Sequence, residues 1–212
     1  GAVRQSNFFG QAAVESAQLR FMSELYNGDP FAYFRSYAKA KNFAGWLGNV
    51  EWNDGGSFRG RGFKQMTGRD NYSKYWVYRG WLSEDSFNDL WWRSPRWWGL
   101  SGANVSSSAY GTLPIQDPTV VQNLIGEMRP PIIDNPDVVS SDINACIDTA
   151  GWFWAKNRLL ETADSNDVAE MTRKIRGDGA AVGVSQPWPA AAHFPERREN
   201  TQRIEQLLGD VP

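Results

Sequence analysis

The chain of 212 residues has one cysteine and one histidine. With Cys146 as its sole thiol no internal disulfide can form, and a structural zinc site of Cys and His ligands cannot be assembled. No cofactor or metal is expected. No apolar run approaches the roughly 20 residues that span a bilayer, so membrane insertion is not expected either. An excess of charge is also lacking: 22 basic against 24 acidic residues leave a formal charge of −2. Such a balance is a poor match for a polyanion and argues against nucleic acid as the main partner. The pairs Arg59-Gly60 and Arg61-Gly62 are too few, and too far from any low-complexity tract, to read as an RNA-binding segment. The opening Gly1-Ala2-Val3-Arg4-Gln5 has neither a methionine nor a signal-like core, and reads as the start of a domain excised from a longer protein.

Aromatic surface is what the chain has in quantity. Aromatics make up 14% of it, with 11 Trp, six of them between Trp76 and Trp98. Indoles either fill cores or offer flat apolar platforms to sugar rings. The cluster Trp91-Trp92-Arg93-Ser94-Pro95-Arg96-Trp97-Trp98 is read first as packing and second as a ligand or domain contact. A chain of this length buries roughly 70% of its unfolded surface and needs no cross-links. One domain is expected over residues 1–212, with a Trp-rich insertion at about 76–129 that includes an unassigned stretch at 82–112.

Hydrophobic spacing predicts mostly helix. Phe8, Phe9, Ala12, Ala13, Ala17, Leu19, Phe21 and Met22 fall largely on a helical period, predicting a helix from about Asn7 to Leu25 capped by Ser6 or Asn7. The Gly, Asn, Asp and aromatic-rich stretch that follows, to about Gly62, suits turns and short strands. Short helix is expected from Asn71 to Trp81, then Thr119 to Met128 behind Asp117-Pro118. Ser140 or Ser141 can start a helix carrying Cys146, Ala150, Phe153 and Trp154, which makes Cys146 a small core residue. Ser165 with Asp167 starts another through Ile175, and Pro195 to Leu208 forms the last. The fold class is therefore mainly α with a small β element.

The most informative string is Arg59-Gly60-Arg61-Gly62-Phe63-Lys64-Gln65-Met66-Thr67-Gly68-Arg69-Asp70-Asn71-Tyr72. Glycines let a ligand approach the main chain, and Gln65, Thr67 and Asn71 suit the hydroxyl and N-acetyl groups of an aminosugar. This string resembles the substrate-binding segment of family 19 glycoside hydrolases and the related lysozymes of phages and bacteria. Two further stretches are similar to that family: Phe8 to Ser16, and the helical region with Ala150-Gly151-Trp152-Phe153-Trp154 and Thr172 to Gly177. The resemblance implies a two-lobed, lysozyme-like α+β architecture with a central cleft. It implies a muramidase cutting the β-1,4 bond between N-acetylmuramic acid and N-acetylglucosamine, as a phage endolysin or a secreted antibacterial effector with a possible immunity protein. It would act at the cell wall, in the periplasm of a target or host bacterium.

Glycoside hydrolysis needs a carboxylic acid to protonate the leaving oxygen and a carboxylate to activate water. Glu15, on an otherwise apolar stretch, is the candidate acid, and desolvation there predicts a raised pKa. The resembling family has His-Glu-Ser at this place; Val14 replaces the histidine. Glu24 is the candidate base, as a second acid about nine residues on is a feature of the lysozyme-type relatives, and an inverting mechanism is implied. On a continuous helix nine steps would put the two on opposite faces, so a break near Met22 to Leu25 is required. Glu51 and Asp54 are second-choice carboxylates. Gln65, Thr67 and Asn71 are the expected substrate ligands. Arg61 and Arg69 either pair locally or meet acidic substrate groups. Arg176 stands where the family usually has an asparagine, and would suit an acidic substituent of peptidoglycan. An endochitinase and a non-catalytic wall-binding module are the alternatives.

Overall fold

The computed structural model describes residues 1–37, 47–49, 53–87, 91, 130–176 and 193–209. These are mostly helical, in agreement with the mainly α expectation. Among them the extended backbone amounts to two isolated antiparallel bridges, Ser23 with Arg61 and Arg61 with Met66. The expected helix at 119–128 and the stretch 92–112 lie outside the described residues. The chain divides into two compact units, one of Gly1–Met22, Gly62–Gln65 and Val139–Pro212, the other of Ser23–Arg61 and Met66–Val138.

The first unit is built on α1 (Ala2–Glu15), which starts five residues earlier and stops ten residues sooner than its spacing predicts. Ser16 ends it. Its hydroxyl donates to Ala12 O at 2.7 Å and accepts from Leu19 N at 3.1 Å, while Ala17, Gln18 and Leu19 all take positive φ. Those local side-chain bonds offer the backbone an alternative to another helical turn. Glu24 is consequently not on this helix, and the break comes well before Met22.

Of the later helices, α2 (Ile143–Lys156) follows the predicted stripe but is capped by Asp142, whose carboxylate accepts from Asn144 N at 2.8 Å; Ser140 and Ser141, the expected caps, belong to the separate short helix Val138–Ser141. The short α3 (Leu159–Asp164) was not legible in the spacing; it opens after Arg158 in the left-handed region. Asp167 accepts from Glu170 N and so caps α4 (Val168–Arg176), and α5 (Phe194–Gly209) closes the unit. Buried Trp154, Leu159, Ala163, Met171 and Ile175 form one apolar cluster, and Ala12, Phe63, Cys146 and Ala150 form a second. Cys146 is a fully buried core residue, as expected. Helix α1 lies so close to α5 that a Cβ on Gly10 would meet Thr201 N at 2.9 Å.

The second unit has shorter elements: α6 (Pro30–Tyr33), α7 (Asp54–Ser57) and α8 (Arg69–Tyr78), with single 3-10 turns at Phe34–Tyr37 and Glu84–Ser86. Asp29 caps α6 through Phe31 N and Ala32 N, with Pro30 pre-set at the first helical position. Its interior is aromatic, with Phe34, Phe58, Tyr72, Tyr75, Trp76 and Trp91 all buried. Trp91, from the tryptophan-rich stretch, is a packing residue whose indole N–H donates to Gly48 O at 3.1 Å.

Candidate active site

Glu15 is the last residue of α1, where the helix dipole is negative and disfavours a carboxylate. Two cations offset this. Arg197, on α5 and itself buried, donates to Glu15 Oε1 at 2.7 Å and to Gln11 Oε1 at 2.6 Å. Lys64 Nζ lies 3.4 Å from Glu15 Oε2 and 5.0 Å from the centre of the Phe153 ring. Burial pushes the Glu15 carboxyl up, as the sequence predicts, but Lys64 and Arg197 together outweigh it and hold the group below its ordinary value. The expected direction is thus reversed. Lys64 is shifted as well: burial draws its ammonium pKa down, against the pull of Glu15. The Glu15 side chain keeps 19% of its surface exposed to solvent.

Glu24 sits in the second unit at the Ser23 bridge, held by both carboxylate oxygens. Tyr37 Oη donates to Oε1 at 2.7 Å and Gly60 N–H donates to Oε2 at 3.1 Å, while Glu24 N bonds Gly60 O at 2.8 Å. Burial and the neighbouring carboxylate both push the Tyr37 phenol above its ordinary range, so it remains a donor. The half-buried Glu24 is therefore oriented as well as reachable.

The glycine-rich string does other work than its residue types suggest. Arg61 has 1% of its surface exposed, and its guanidinium donates to Asp137, to Ser57 O at 2.7 Å and to Tyr72 Oη at 2.8 Å. All of these partners are internal to the unit. Asp54 is equally sealed: Arg69 grips both its oxygens, at 3.1 and 2.5 Å, and also donates to Pro131 O at 2.9 Å. Both oxygens of this buried carboxylate are therefore engaged in an ion pair. Arg61 and Arg69 both pair locally, with Asp137 and Asp54.

The polar row is partly recessed. Gln65, in the left-handed region, donates from its amide to Gly62 O at 3.0 Å and Phe21 O at 3.3 Å, closing the turn that carries Lys64. Asn71 Nδ2 donates to Thr67 O at 2.9 Å, and both residues are half-buried. Glu51 and the side chain of Arg176 lie outside the described residues. His193 is exposed and meets Glu196 at 3.1 Å. Among the described residues, no three His, Cys, Asp or Glu are grouped to hold a metal. Lys64, Arg197 and Tyr37 are the residues that sequence reasoning missed; only their reactive neighbours carried a signal. Comparison of the chain with models of known protein families, with characterised proteins and with solved structures finds no match.

Proposed function

We propose that the protein is a peptidoglycan hydrolase of the muramidase type, resembling the family 19 lysozymes, with Glu15 as general acid and Glu24 as the carboxylate that orients water. One observation carries the reading: Glu15 and Glu24 are each fixed by hydrogen bonds yet still reachable, whereas Asp54 is sealed in an ion pair. A base for water needs to be aimed, which the Tyr37 and Gly60 donors supply. An acid must carry a proton while substrate is bound, and a sugar that displaces Lys64 or Arg197 from Glu15 would release that carboxyl towards a higher pKa. Glu15 then gives its proton to the glycosidic oxygen as the bond to the anomeric carbon breaks. Water, losing its proton to Glu24, attacks that carbon from the opposite face. The two-lobed, lysozyme-like cleft architecture belongs to the same proposal.

The stereochemistry of the first product tests the mechanism. Proton NMR of the anomeric signal during digestion of a soluble glycan should show the α anomer before mutarotation, and Glu24→Gln should release no fragments. An initial β anomer, or a covalent glycosyl adduct on Glu24, would overturn the single-displacement assignment. A non-catalytic wall-binding module is favoured by one feature, the exposed aromatics Tyr26, Phe31 and Tyr33. Sedimentation with purified sacculi without fragment release would establish it instead.

A further inference from the structure

The C-terminal end of α8 carries surface that the proposed hydrolysis does not use. The helix closes on Gly80, at φ +68, whose N–H bonds Val77 O at 2.9 Å while Trp81 N–H reaches back to Trp76 O at 2.9 Å. This pair of bonds is the Schellman closure, and it folds the residue after the glycine onto the last turn. Any small apolar side chain would complete it. Here the residue is Trp81, 5.2 Å from Trp76 between ring centres with planes 75° apart, and 45% of its surface stays exposed.

Facing these indoles is the segment 131–138. Trp76 and Trp81 on one side and Ile132, Asp134, Asn135 and Val138 on the other line a cavity of about 260 Å³. The facing wall is anchored near both ends, by Arg69 on Pro131 O and by Arg61 on Asp137, and Asn135 takes φ +49 with its carbonyl accepting from Val138 N. An anchored wall loses little freedom when a ligand enters.

We propose that this cavity is a second glycan site, holding one neutral N-acetylglucosamine ring against the exposed Trp81 indole, over the rim of the buried Trp76, with its hydroxyls bonded to Asp134 and Asn135. Size fits one ring, since the volume falls below the roughly 300 Å³ at which sites for drug-sized ligands begin. Apolar C–H faces of a pyranose suit indole walls, and short acceptors and amides suit its hydroxyls. Among the described lining residues only Asp134 is charged, which disfavours acidic muramic acid or phosphate and favours a neutral ring; the Arg79 guanidinium lies 4.7 Å over the Trp81 ring, outside that lining. The choice of a wall sugar rests on the hydrolase reading above; the cavity itself does not.

The test titrates Glu15→Gln protein, which leaves glycan uncut, with N,N′-diacetylchitobiose while following indole N–H signals in 1H–15N spectra. Saturable shifts are expected at Trp76 and Trp81, and Trp81→Ala or Asp134→Ala should each weaken binding about tenfold. Asp134 is exposed, so its variant tests the cavity even if Trp81→Ala fails to fold. Shifts confined to other tryptophans, absence of saturation, or affinity unchanged in the Asp134 variant would overturn the proposal. Wall digestion without disaccharide binding here removes the second site alone; binding without digestion removes the hydrolase reading and leaves the site.

Discussion

Glu15 concentrates the account at the scale of single residues. Its carboxyl is held low by Lys64 and Arg197, so in the free protein the protonated acid is scarce at neutral pH and kcat/KM should fall as pH rises through the acidic range. Lys64→Met removes one of the two cations at nearly constant volume. The basic limb of the kcat/KM profile should move to higher pH in this variant; an unmoved limb would show that Glu15 is not the titrating acid. The same shift has a consequence for stability. Because the folded-state pKa lies below the unfolded one, the stabilisation is present above the unfolded value and is lost as pH falls through the folded value. The wild type should therefore melt above Glu15→Gln at pH 7, with the gap closing on acidification, as followed by circular dichroism. None of this was readable from the apolar surroundings of Glu15. Arg197 comes from 182 residues away, and Lys64 reads in the string as one more polar residue beside Gln65.

Elements were legible where a cap and a buried stripe agree. Helix α4 has Asp167 at its start and Val168, Met171 and Ile175 along its length, as cap and spacing predict, whereas α2 was located by its stripe of Cys146, Ala150 and Trp154 alone, its cap being Asp142 and not Ser140 or Ser141. In α1 the period ran past the true end, because Leu19, Phe21 and Met22 continue the apolar rhythm while Ser16 and three left-handed residues turn the backbone away. Two predictions belong to this scale. Gly10→Ala places a methyl against the Thr201 backbone and should cost about 1–3 kcal/mol, read by urea unfolding. Breaking the buried pair with Asp54→Ala removes the carboxylate from the buried Arg69 and should cost about 3–5 kcal/mol. Asp54→Asn that still folds should retain wall-degrading activity; losing activity at unchanged stability would return Asp54 to the chemistry.

At the scale of the whole molecule, hydrophobic spacing correctly pointed to mainly helical structure, which the described residues show, with the one thiol buried in the core. The arginines of the glycine-rich string show what composition hides. Arg61 and Arg69 have the residue type of a polyanion or substrate contact, and their burial against Asp137 and Asp54 depends on contacts that spacing does not encode. The polar row and the two carboxylates were legible as residue types; their orientation by Tyr37, Gly60, Lys64 and Arg197 was not. What the protein does with that arrangement can be read directly from its products. Purified peptidoglycan would be digested with wild type and with Glu15→Gln, and the released fragments reduced with borohydride and weighed by mass spectrometry. The account predicts fragments ending in reduced muramic acid with the wild type and none with the variant. Reduced glucosamine ends, or equal release by Glu15→Gln, would contradict it.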